Sequence, residues 1–307
     1  MAQTRASLLI PVLMLATAPT ASAKHDPDRT FPVMGGRLAI KLPDKTQSSA
    51  RPPESIMSAA PSQESETRFI LALAPGRLVV FFKELYELAP ATDDPLNKFL
   101  SESKPDAHPS TFTVDGIRVL MQGPTQWSEV ISGGELLESA LLVLPDRTIV
   151  KAGFFVSPDA RDKESLRALA RASLHTLTAG KKLVTGGKLV IAGIAVSLPD
   201  GWLHTSQEGP DFSVHSLRPL AVWDTTASGI GIYEGGHAAY QHNQGDEKIP
   251  FTIEKGQWLG APVEWHVHSG ANPMHEAIVE WKKGEGVRHV WYYGAEAKAV
   301  VDAMRRQ

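Results

Sequence analysis

Alternation of apolar with small or polar side chains defines one seven-residue stretch that this chain writes twice. Ile194-Ala195-Val196-Ser197-Leu198-Pro199-Asp200 repeats, with few changes, Leu38-Ala39-Ile40-Lys41-Leu42-Pro43-Asp44. Period-two alternation is the pattern of a strand with one buried face. Pro-Asp ends both copies, because proline has no N–H to offer a ladder. A second echo lies downstream. Glu138-Ser139-Ala140-Leu141-Leu142-Val143 matches His275-Glu276-Ala277-Ile278-Val279-Glu280, and at the same offset Phe154-Phe155-Val156 falls on Trp291-Tyr292-Tyr293. Such self-similarity indicates a tandem duplication.

Between the echoes, strands are predicted at 69–73 and 78–82, flanking the turn Ala74-Pro75-Gly76-Arg77, and at 116–121, 138–144 and 148–156. Residues 47–66, rich in Ser, Pro and Glu, read as a long loop, and 24–34 as a flexible lead-in. A short helix is expected around 96–100. From Ser165 the period turns helical, with Leu166, Leu169, Ala170, Ser173, Leu174 and Leu177 on one face. After the glycines of 180–187 the order repeats. A strand at 189–198 and the turn Pro199-Asp200-Gly201-Trp202 precede strands at 212–217, 229–233, 251–254, 262–268, 277–281 and 288–293. Loops 203–211 and 235–248 connect them, and a closing helix puts Ala297, Val300, Val301 and Met304 on one face. The expected fold class is α+β: two tandem similar units, 35–182 and 183–307, each a mostly antiparallel sheet covered by its C-terminal helix.

Composition narrows the setting. Arg5, the apolar run 6–18 and Ala21-Ser22-Ala23 have the form of a cleavable signal peptide over 1–23, which predicts a periplasmic protein. The chain has no cysteine, so packed cores must supply its stability, and thiolate metal sites and thiol nucleophiles are excluded. A net charge of −3 over 307 residues leaves no basic footprint for nucleic acid. No later segment has the ~20 apolar residues a spanning helix needs, so no stable membrane insertion is expected.

Leu198-Pro199-Asp200-Gly201-Trp202, the antiparallel strands ending in Trp291-Tyr292-Tyr293, and the helix after Gly294 together resemble the PsbP-like α/β/α sandwich superfamily. The first copy resembles it more loosely, with Lys45-Thr46 where the second has Gly-Trp. The resemblance implies binding rather than catalysis. Periplasmic members include immunity proteins that block toxins delivered by type VI secretion. It therefore implies a non-enzymatic, exported protein-binding protein, of which an immunity protein neutralising a secreted toxin is one form. A fold does not by itself fix a function.

Candidate chemistry concentrates in the second unit, where eight of the eleven histidines follow position 203. In Pro262-Val263-Glu264-Trp265-His266-Val267-His268 the alternation sends Val263, Trp265 and Val267 one way and Glu264, His266 and His268 the other. Two imidazoles at i and i+2 are able to ligate one divalent metal, with His237, His242 or His289 completing the set, so a metal-binding protein is the alternative function. The plainer reading is the polar side of an antiparallel strand. No resident cofactor other than such a metal is expected. His275-Glu276 opens a zincin-like motif, but Val279 stands where its second histidine is required. No Gly-x-Ser-x-Gly elbow or P-loop occurs, so no catalytic residue is assigned. For a protein partner, the candidate contacts are Trp223 and Trp258, both in polar surroundings, together with Tyr240 and His237.

Overall fold

The structure is a computed structural model that describes residues 28–49, 66–73, 76–102, 109–123, 134–223, 228–241, 249–270, 272–281 and 286–307. The expected signal peptide, most of the loop 47–66, Ala74-Pro75 and His242 lie outside the described residues.

In the first unit β1 (Asp28–Val33) pairs with β2 (Leu38–Pro43), and β10 (Thr178–Ala179) lies on the other edge of β2. The large sheet runs β3 (Gln47–Ser49), β4 (Glu66–Leu73), β5 (Gly76–Leu88), β9 (Thr148–Val156), β8 (Glu135–Val143), β7 (Ile117–Gln122), β6 (Ser110–Val114), each neighbour antiparallel. The second unit has its own hairpin, β11 (Gly187–Ile191) and β12 (Ile194–Leu198), joined by β21 (Arg305–Arg306). Its large sheet runs β13 (Trp202–Glu208), β14 (Phe212–Pro219), β16 (Gly229–Gly235), β20 (Val287–Tyr293), β19 (Met274–Glu280), β18 (Ala261–His268), β17 (Phe251–Trp258). Strand for strand, this is the order of the first unit. The echoed stretches sit on corresponding strands: β2 and β12 are the middle strands of the small sheets, and β8 and β19 lie beside β9 and β20. The aromatic echo is one residue out of register, since Phe154 enters the first core and Trp291 stands on the outer face.

The expected α+β class is overturned, because the described chain is mostly β with only three α-helices. The C-terminal helices do not cover the large sheets by themselves. The reason is size: a nine-residue helix such as α3 (Ala295–Ala303) is ~13 Å long. Seven strands span ~30 Å. The three-stranded sheet supplies the missing cover. The first core gathers Phe31, Val33 and Ile40 from the small sheet, Phe82 and Phe154 from the large one, and Ala170 and Leu174 from α2 (Lys163–Leu174). The second core repeats the plan with Ile194 and Val196, Ile232 and Val290, Val300 and Val301.

Four local expectations are corrected. The lead-in 24–34 contains β1, whose Phe31 and Val33 are buried; two apolar residues between exposed polar ones gave too short an alternation to read. The loop 47–66 opens as strand β3. The single strand 189–198 is a hairpin, turning at Ala192 (φ +50) and Gly193 (φ +75). Positive φ at both turn positions is the tight hairpin geometry, and alanine does not advertise it. The expected loop 203–211 is mostly the edge strand β13.

The outer faces of the two large sheets differ, and among the described residues the second unit lacks the second helical layer that an α/β/α sandwich requires. In the first, α1 (Asp94–Ser101) lays Leu96, Phe99 and Leu100 over Leu120, Leu141 and Ile149. In the second, no described helix crosses that face. The units are joined where β15 (Ala221–Val222) pairs in parallel with the end of β5 and Trp223 N–H donates to Leu88 O at 2.9 Å. The buried Arg37 fastens the other side of the boundary. Its guanidinium holds Glu84, Asp146, Thr148 Oγ1 and the Lys181 carbonyl, while Asp146 accepts from Leu183 N. No helix of the described residues is long and apolar enough to cross a membrane.

Candidate functional site

The outer face of the second large sheet carries the most distinctive chemistry. Strand alternation decides what stands there. Even-numbered residues of β16 and β20 (Ile230, Ile232, Val290, Tyr292) enter the core with Val263 and Trp265 of β18. Odd-numbered ones, Tyr233, His289 and Trp291, stand on the other side, with Glu276 and Ile278 of β19 and with His266 and His268 of β18.

Glu276 is the hub. His266 is its direct partner on β18 and Trp291 its direct partner on β20, so His268 and His289 are its diagonal neighbours. His268 Nε2 lies 2.5 Å from Glu276 Oε1, and His289 Nε2 lies 2.8 Å from Oε2. Gln241 N–H adds donations of 2.9 and 3.2 Å to the two oxygens. Glu276 is 1% exposed, and burial on its own would raise its pKa. The donors from His289, His268 and Gln241 outweigh burial and hold the carboxyl below its ordinary range. The ionised carboxylate in turn makes Nε2 of both imidazoles the donor nitrogen.

Residues 238–241 cross this face, fastened at Gln241. Tyr240 lies flat on His266, with ring centroids 3.9 Å apart and planes 6° from parallel. Phe251 stacks on the same imidazole at 4.8 Å and 7°. Beside the crossing opens a recess of about 330 Å³ lined by Tyr233, His237, Gln241, Glu276, His289 and Trp291. Trp291 reaches its place by lying over Gly231, where any Cβ would collide with the indole. His237 is on the exposed rim, its Nε2 3.7 Å from the Asp211 carboxylate, and its N–H donates to Tyr233 Oη.

The sequence-predicted residues divide sharply. His268 and His289 converge, but on Glu276; His266 is diverted into the ring stack. Among the described residues no group of three metal-ligating side chains forms an open metal site. Tyr240 and His237 lie at the recess. The two tryptophans differ. Trp258 is 3% exposed and belongs to the second core. Trp223 is half-buried and edge-on to Phe99 at 6.2 Å, at the joint between the units. Both sit beside polar segments, which was the misleading signal.

Sequence reasoning left Glu276 inside a failed zincin motif and did not place it between the histidines. The usable sign was an acidic residue in the middle of a strand whose neighbours Ala277 and Ile278 are apolar. Another pair, His204 Nε2 and His215 Nδ1, is 3.1 Å apart on the opposite side of the sheet near its β13 edge. Burial, with His215 beside it, pushes His204 down to about 4.

No protein-family model, curated protein or solved structure matches this chain.

Proposed function

We propose that this chain is an exported, non-enzymatic protein-binding protein whose second unit carries the binding surface. An immunity protein that covers and neutralises a secreted toxin is the form we favour. One observation carries the reading. The large sheet of the second unit presents Tyr233, Trp291, Tyr240 and His266, all half-buried, on a face that no described helix covers, beside a recess of about 330 Å³. Half-exposed aromatic rings with polar tips, held rigid by a sheet, are the composition of an interface centre. The motifs that resemble PsbP-like periplasmic proteins suggested this function from the sequence. Among the described residues the second unit lacks the second helical layer that the resemblance implied, so the exposed face carries the reading. The absence of a nucleophile motif supports a role in binding.

The test is co-expression with an exported effector encoded beside this gene. Wild-type protein should co-purify with the effector and protect the host. Trp291→Ala, which removes one wall of the recess, should weaken that complex at least tenfold while leaving the circular dichroism spectrum unchanged. Equal protection by Trp291→Ala would remove this face from the function, and no complex with wild-type protein would remove the function itself.

The second reading is a divalent-metal protein, favoured by the convergence of two imidazoles and a carboxylate at Glu276. A metal bound at ~2.0–2.2 Å from each donor would have to replace the direct His–Glu hydrogen bonds. Elemental analysis of untagged protein, compared with a His268→Ala, His289→Ala double variant, decides it.

A further inference from the structure

The outermost strand of the second large sheet, β17, is built unlike its counterpart in the first unit. That counterpart, β6, occupies the same end of the strand order, is five residues long and is guarded. Its Phe112 stacks on His175 at 3.9 Å, and the turn after it is pinned where Asp115 accepts from Ala179 N. Short, covered edges are how sheets avoid pairing with another chain. By contrast, β17 is eight residues long and ends the sheet, with β18 as its one strand neighbour among the described residues. Six of its eight residues, Phe251 to Lys255 and Gln257, are exposed, and Ile253 is 55% exposed at the middle of that run.

We infer that β17 is a dimerisation edge that pairs antiparallel with β17 of a second copy, about a two-fold axis through Ile253. This is independent of the toxin-binding reading. The choice of occupant rests on self-complementarity. A two-fold axis normal to the sheet keeps like faces together, so only registers centred on a residue are allowed. Centred on Ile253, the pairs are Ile253 with Ile253, Phe251 with Lys255, and Thr252 with Glu254. Apolar meets apolar, an ammonium meets a ring, and a hydroxyl meets a carboxylate. Centring on Glu254 or Lys255 would oppose like charges, which disfavours a cross-strand pair. Centring on Thr252 would shorten the overlap within the strand to Phe251–Ile253, and centring on Gly256 would set two glycines at the axis and Glu254 against the buried Trp258. The sequence Phe251-Thr252-Ile253-Glu254-Lys255 thus selects one register, and main-chain hydrogen bonds of strand addition supply the attraction.

Sedimentation and light scattering of the purified protein over a concentration series test this. The expected result is a dimer that dissociates on dilution. Ile253→Lys and Ile253→Glu each place like charges across the axis, and each protein alone should be monomeric with an unchanged circular dichroism spectrum. An equimolar mixture of the two should recover a dimer containing one of each, which no folding defect could produce. A wild-type protein that stays monomeric at the highest concentration, a dimer indifferent to Ile253→Lys, or a mixture that remains monomeric overturns the inference.

Discussion

Ser139 and Glu276 occupy matching places on β8 and β19, and each secures the segment that crosses the outer face of its sheet. Ser139 Oγ donates to Gln122 Oε1 at 3.2 Å, and Gln122 Nε2 donates to the Phe99 carbonyl of α1. Glu276 accepts directly from Gln241 N–H and is itself held by two histidines. Where the first unit has a neutral relay beneath an amphipathic helix, the second has a buried charge beneath a short irregular crossing.

Glu276→Gln keeps the shape and removes the charge, so the donations from His268, His289 and Gln241 N–H lose their ionic partner. Hydrogen bonds to charged groups contribute about 1.5–3 kcal/mol each, and part of that survives with a neutral amide. A loss of about 2 kcal/mol in chemical denaturation is expected, with faster amide exchange at Gln241. Unchanged exchange at Gln241 would show that the carboxylate does not hold the crossing.

Arg37→Met should be the most damaging change at the boundary between units. It strands Glu84, whose side chain is 2% exposed, and frees Asp146 and the Lys181 carbonyl. Removing one partner of a buried pair costs about 3–5 kcal/mol. Urea titration of the variant against wild type checks this.

The pH dependence of stability has two opposed parts. Burial raises Glu84 from 4.5 to about 7 against the pull of Arg37, so the folded state holds a proton there that the unfolded state has lost. Stability from this group therefore falls as pH rises from 4.5 to about 7. Asp146 is moved the other way: burial would raise it, but its bonds from Arg37, Thr148 and Leu183 bring it down from 3.8 to about 2. Its contribution is present above 3.8 and is lost as pH falls toward 2. Melting temperature followed across pH should show both slopes, and Glu84→Gln should abolish only the upper one.

Trp223→Ala should loosen the joint between the units without emptying either main core, since Trp223 packs on the Phe99 cluster alone. A cost of about 2–3 kcal/mol is expected, below that of truncating a fully buried tryptophan. The diagnostic is cooperativity: a single denaturation transition should separate into two. A transition that stays single would mean that β15 and the Arg37 network are together a sufficient joint.

Ala192→Gly should stabilise the protein. Ala192 is held at φ +50 in the β11–β12 turn, a conformation that disfavours an L side chain by about 1–2 kcal/mol. Part of that is returned to the unfolded chain as glycine's extra freedom, so a net gain of about 0.5–1 kcal/mol is expected by thermal denaturation.

The sequence by itself determined which face of most strands is buried, because that depends only on period-two alternation: Val263 and Trp265 inward, His266 and His268 outward. It also determined where strands end, at Pro43 and Pro199, and which stretches are echoes of each other. Tertiary structure decided the rest. Helix length against sheet width made each unit two-layered in strands, so the helical pattern at Leu166–Leu177 was legible while the cover it shares with β1 and β2 was not. Partnership among Glu276, His268 and His289 depends on strand order β20-β19-β18 and on a diagonal register, neither of which alternation encodes. Trp258 and Trp223 show the same limit: a polar neighbourhood in sequence says nothing of what a neighbouring strand or the other unit lays over an indole.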